Sequence, residues 1–206
     1  MQTIDHRLLG IQIIKQAAAY RRITFFQKTA FIWGNIEPDL NFFTFFRGVT
    51  EGHGLCGHSF EKNSIRIERL REKAECTQSG ILKSYRLGKV MHYMADCFTF
   101  PHNDSFGGDL KAHMEYEHML HRKLAAMLHI TRAEDEFDRA EGDLWESFME
   151  EHRKYLKSRR GEMDDIRFII RATNKMTARI CSRENSRKEL RHSFHDKPYR
   201  ISQAGL

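Results

Sequence analysis

HYMADCFTFPHNDSFGGDLKAHMEYE, running from His92 to Glu117, is the stretch whose reading decides the fold. It holds five side chains of metal-ligand type in one short span: His92, Asp96, His102, His113 and Glu117. His92 to Asp96 and His113 to Glu117 are each four residues apart. On an α-helix such positions lie one turn apart on the same face, so each pair can chelate a single ion. His102 stands between them in PHND, which reads as a loop. The pattern is helix pair, loop ligand, helix pair, so that one hairpin builds two neighbouring metal sites.

With 12 His in the chain, some fall at this spacing by accident. The surrounding periodicity argues against that here. Leu110, Met114, Glu117, Leu120, Leu124 and Leu128 fall close to one stripe, with His113 at its edge. Ile81, Tyr85, Gly88, His92 and Asp96 form another. A carboxylate on an inward stripe is costly unless paired or metal-bound. Gly88, one turn before His92, lets a neighbouring backbone come close.

At 206 residues, with 30% charged residues and only 3 Pro, the chain suits one helical domain with a sizeable core. Cys56, Cys76, Cys97 and Cys181 form no C-x-x-C and read as reduced structural thiols. No apolar run approaches the length of a membrane span. The first residues, MQTIDHRLLG, lack the basic and apolar regions of a secretory signal. The expected compartment is therefore the cytoplasm, or the outside if a signal has been removed. A net charge of +6 favours anionic partners, phospholipid surfaces or nucleic acid.

Working outward, residues 3–22 read as a helix with His6 in its first turn. In FIWGNIEPDLNFFTFFRG (31–48), Gly34-Asn35 and Pro38 predict a break, which places Asp39 just after a turn. Phe42, Phe43, Phe45 and Phe46 beside it read as core, or as a greasy rim for an acyl chain. TEGHGLCGHSFEKN is a Gly-rich loop carrying His53 and His58. A charged helix follows over 59–75, with Ile65, Ile67 and Leu70 inward. His118 and His121 sit on the same helix as His113 and Glu117, at positions that read either as support behind the ligands or as surface. Residues 131–143 look acidic and turn-like, and further helices cover 144–156 and 163–181. The domain is expected to span 1–182, with 183–206 a polar, basic tail.

Three pieces together, DHRLLG, the G-N-x-x-P-D turn and L-G-K-x-x-H-x-x-x-D-x-x-x-x-P-H…H-x-x-x-E, resemble the bacterial zinc-dependent phospholipase C family, whose fold is shared with the S1/P1-type nucleases. The resemblance covers about residues 4–121. It implies an all-α, single-domain multi-helix bundle with two to three zinc ions in a cleft. By the same resemblance, His92 and Asp96 are helix-borne ligands of a zinc pair, with Asp96 bridging. Asp39 is the loop aspartate that serves as ligand and general base, and is the expected catalytic residue. His102, His113 and Glu117 hold a separate zinc, and His6 contributes to a third. His58, which heads the following helix, completes the first zinc in preference to His53. In the family the third ion is also held by the amine and carbonyl of the first residue, from further upstream. Here only five residues precede His6, and no Trp stands first.

The implied reaction is hydrolysis of a phospholipid at its glycerol–phosphate ester, with zinc activating a water and peripheral contact with a membrane. A nuclease of the same fold is the first rival, with Arg21, Arg22, Lys28 and Arg47 available for nucleic acid. A non-catalytic helical protein stabilised by metal is the second. HD-type phosphohydrolases need a His-Asp doublet inside a helix, and His195-Asp196 lies in the tail. Ferritin-like di-iron proteins need two Glu-x-x-His motifs, where this chain offers Glu115 to His118 alone.

Overall fold

The computed structural model describes residues 1–20, 22–40, 60–130 and 143–195. Among them are seven α-helices, a short 3₁₀ turn and no strand. The helices are α1 (Thr3–Tyr20), α2 (Phe25–Leu40), α3 (Phe60–Glu75), α4 (Gly80–Cys97), α5 (Leu110–Ile130), α6 (Leu144–Ser158) and α7 (Glu162–His195). The 3₁₀ turn, Phe100–His102, lies between α4 and α5. The fold is all-α, as expected.

Four of the helix starts are written in polar side chains. Thr24 and Gln27 form a reciprocal capping box on α2: Gln27 N–H donates to Thr24 Oγ1, and Thr24 N–H to Gln27 Oε1. The Ser79 hydroxyl caps α4, the Asp109 carboxylate accepts from Ala112 N–H on α5, and Asp143 caps α6.

The central helix is α4, which packs against α1, α2, α3 and α7. Its C-terminal half is buried without a break from Val90 to Cys97. Tyr93, Met94, Leu9, Ile67, Phe98, Leu120, Leu124, Tyr155, Ile166 and Ile169 form the middle of the core. Such a helix is apolar nearly all round, so His92 and Asp96 are buried by position alone.

Two glycines bring α2 and α4 together. A Cβ on Gly34 would stand 2.0 Å from the Tyr85 carbonyl oxygen, and one on Gly88 2.2 Å from the Phe31 carbonyl oxygen. Gly88 does admit a neighbouring backbone. With Gln27 beside Gly80 and Asn35 beside His92, the helices run parallel. Their C-terminal ends therefore arrive together, Asp39 from one and His92 and Asp96 from the other.

Several expectations need correcting. The break at Gly34-Asn35 and Pro38 does not occur, because α2 runs through to Leu40. Gly34 serves contact, Asn35 faces α1, and Pro38 falls in the last turn, where its missing N–H removes one ladder bond and little helix follows to be kinked. Asp39 thus sits on a helix end. Ile65 and Ile81 are exposed, and so are Leu110 and Met114, since the inward face of α5 is carried by Tyr116, Leu120, Leu124 and Leu128. The hairpin is also looser than expected, because α5 packs on α1 and α7. The last helix passes residue 183 and runs to His195. The aromatic cluster at 42–46, His53, His58 and the acidic stretch 131–142 lie outside the described residues, as do 196–206.

A histidine braces the segment joining α4 to the 3₁₀ turn. His152 Nε2–H faces the Cys97 carbonyl at 3.1 Å and Asn103 Oδ1 at 2.9 Å, and its ring stacks on Phe60. Burial lowers its pKa from 6.5 to about 4. The unfolded chain therefore binds a proton that the folded chain refuses between those values. His152 contributes fully above pH 6.5, and stability falls as pH drops through that window, by up to about 3 kcal/mol. Denaturant midpoints between pH 7 and pH 4 measure this, and His152→Gln should flatten the slope.

Candidate metal centre

Five elements converge on the site. His6 comes from the first turn of α1, Asp39 from the end of α2, and His92 and Asp96 from the buried half of α4. His102 comes from the 3₁₀ turn, and His113 and Glu117 from the start of α5. Ligand atoms of His6, Asp39 and His92 all lie within 4.8 Å of one another, and so do those of His102, His113 and Glu117. Seven of the eight side chains expected from the sequence are thus brought together; the eighth, His58, lies outside the described residues.

Asp96 stands between the two groups. Its Oδ2 is 3.3 Å from His92 Nε2, while Oδ1 is 3.1 Å from His6 Nε2 and 3.7 Å from His102 Nε2. Asp39 Oδ1 lies 3.5 Å from His92 Nε2. In the second group, Glu117 Oε1 is 3.3 Å from His102 Nε2 and 3.0 Å from His113 Nε2. The His6 and His92 rings stack at 3.8 Å, and those of His102 and His113 meet edge to face at 5.0 Å.

The Met1 amine points into the same space. Its nitrogen is 3.0 Å from Asp96 Oδ1, 3.1 Å from His102 Nε2 and 2.8 Å from Glu117 Oε1. Burial opposes its charge, but Asp96 and Glu117 outweigh burial and hold its pKa up to about 11. A cation is therefore already at home among these donors.

The electrostatics suit ligation. Burial alone would raise Asp96, yet the Met1 ammonium and the imidazoles of His102, His6 and His92 hold it well below the usual carboxylate range. Glu117 is depressed in the same way. Burial lowers His102, leaving a neutral imidazole with a lone pair to give. Asp39 moves the opposite way: burial raises its pKa, with Asp96 adding to the shift. Cys97, adjacent to Asp96, is buried and its thiol pushed up, so it stays protonated. The donors are imidazole nitrogens and carboxylate oxygens, a set that suits zinc.

Asn35, read from sequence as a turn residue, orients the first group. Its carbonyl lies 2.9 Å from His92 Nδ1. An Nδ1–H donated there leaves the Nε2 lone pair facing the cluster. Its side-chain amide donates to the His6 carbonyl, joining α1 to α2. His6 Nδ1 is buried with no hydrogen-bond partner among the described residues, so hydrogen bonding does not commit that nitrogen elsewhere. Asp5, fully buried, accepts from Gln2 N–H and sits 2.6 Å from His121 Nδ1, tying α1 to α5. His118 is exposed and, among the described residues, reaches Gln2. Neither His118 nor His121 belongs to the two groups.

A bundle of helices whose ends deliver two adjoining His/carboxylate clusters defines an all-α, zinc-type metalloprotein. The chain belongs to the zinc-dependent phospholipase C family, whose sequence model matches residues 5–198. No curated protein and no solved structure matches it.

Proposed function

We propose that this protein is a zinc-dependent hydrolase that cleaves the glycerol–phosphate ester of phospholipids, releasing diacylglycerol and a phosphorylated headgroup. The family supports zinc and a phospholipase C reaction. The observation that carries the reading is the convergence of the two donor groups on either side of Asp96. In this reading His6, Asp39 and His92 hold one centre and His102, His113 and Glu117 another, with Asp96 serving both. Two to three ions are accommodated, and His58 is the proposed further ligand of the first.

Bound zinc would polarise the phosphate and lower the pKa of a water. The chain's residues do the rest. Asn35 and the stacked His6 ring fix His92 in place. The negative charge of Asp96 and Glu117 offsets the charge of the ions. Asp39 is the one carboxylate of the first group whose pKa is raised, and its side chain stays 20% exposed. A base placed there accepts the proton of the attacking water. The water oxygen bonds to phosphorus, the bond from phosphorus to the glycerol oxygen breaks, and that oxygen takes a proton from solvent to leave as diacylglycerol, Asp39 returning its own proton to solvent.

The expected assay result is release of diacylglycerol from phosphatidylcholine vesicles with no cleavage of single-stranded DNA. Chelator should abolish turnover, and added zinc should restore it. DNA cleavage without lipid turnover would move the protein to the nuclease reading. Neither activity in the zinc-loaded protein would leave a metal-stabilised binding module.

A further inference from the structure

Behind the second donor group lies a carboxylate with no part in the chemistry so far. Asp165, in the first turn of α7, is completely buried. Its Oδ2 accepts from the backbone N–H of Phe100 at 2.9 Å and from the Tyr116 hydroxyl at 2.6 Å. Its Oδ1 accepts from Tyr155 hydroxyl at 3.0 Å and Arg159 Nε at 2.9 Å. Arg159 also donates to the Tyr116 oxygen, and its guanidinium lies 3.6 Å over the Phe100 ring.

The two partners of Oδ2 matter most. Phe100 opens the 3₁₀ turn that ends in His102, and Tyr116 immediately precedes Glu117. One oxygen atom therefore holds the backbone of the 3₁₀ turn that presents His102 and, through its hydroxyl, the side chain of the residue next to Glu117. That is more than a buried ion pair needs for its own satisfaction, and buried ion pairs contribute little net stability.

We propose that Asp165 is a positioning residue for the second metal centre, setting how closely His102 approaches Glu117 and His113 and hence the zinc affinity of that centre. This rests on the reading of those three residues as zinc ligands. An amide in its place offers one acceptor oxygen. The oxygen turns to Arg159, and the amide nitrogen then faces the Phe100 N–H, two donors with no acceptor between them. The turn carrying His102 is released.

The test is zinc affinity, measured by competition with a chromophoric chelator. Asp165→Asn should weaken one zinc site by about 10–100-fold and leave the other unchanged. Tyr116→Phe, which keeps the carboxylate and its bond to Phe100, should weaken the same site less. In a His113→Ala chain, whose second centre is already disabled, Asp165→Asn should leave the remaining affinity unchanged. Should Asp165→Asn fail to fold, Tyr116→Phe carries the test alone. Lower melting temperatures with both zinc affinities intact would overturn the inference and leave the ligands standing. A wild-type chain that binds no zinc would overturn both.

Discussion

Asp39→Asn is expected to lower turnover by about 10²–10⁴-fold while the fold and the second metal centre survive. The amide preserves size and one oxygen, so coordination is weakened less than basicity. Asp39 lies at the last turn of α2 with a part-exposed side chain, and the Thr3 hydroxyl is its hydrogen-bonding neighbour. Circular dichroism should match the wild type, and the rate loss should fall on kcat, since the proton is taken in the transition state. Turnover within tenfold of wild type would remove Asp39 from the role of base.

Gly88→Ala acts by a different route, with the larger effect on architecture. The new methyl would stand 2.2 Å from the Phe31 carbonyl oxygen and 2.9 Å from the Asn35 amide nitrogen. Both are backbone atoms of α2, so no side chain can turn aside. The helices must part, costing about 1–3 kcal/mol as overpacking usually does. The same movement draws the Asn35 carbonyl from His92 and Asp39 from His92, opening the first donor group. The second group, carried by the 3₁₀ turn and α5, is untouched. Zinc titration should show one site lost and one kept, with a lower melting temperature. Alanine tolerated with both sites intact would contradict the parallel packing of α2 on α4.

Which parts of this were readable beforehand follows from the range of the interactions. His92 with Asp96 and His113 with Glu117 are one-turn pairs, so spacing alone places them on one face. Gly88 was readable because its want of a side chain falls on the same stripe. Gly34, Asn35 and Pro38 misled, because as a cluster they favour a turn in isolation. Here tertiary contact overrides propensity, since Gly34 is needed against Tyr85 and Asn35 against His6 and His92. The inward face of α5 departs from the periodicity of its sequence for a related reason. Leu110 and Met114 share a face with nothing packed over it among the described residues, while Tyr116 turns inward to Asp165. Asn35 and Asp165 carried no local signal of their part in the site, because the bonds that tie them to it, to His92 and to Phe100, span 57 and 65 residues of chain. The resemblance to the zinc-dependent phospholipase C family, drawn on three pieces within about residues 4–121, extends across residues 5–198.

The most direct test of the account is the zinc content per chain, by elemental analysis of protein purified without chelator. Two or three zinc ions per chain, falling by one or more in Asp96→Ala, is the predicted result. One zinc or none, or a content indifferent to Asp96, would contradict the paired centre on which the proposed reaction depends.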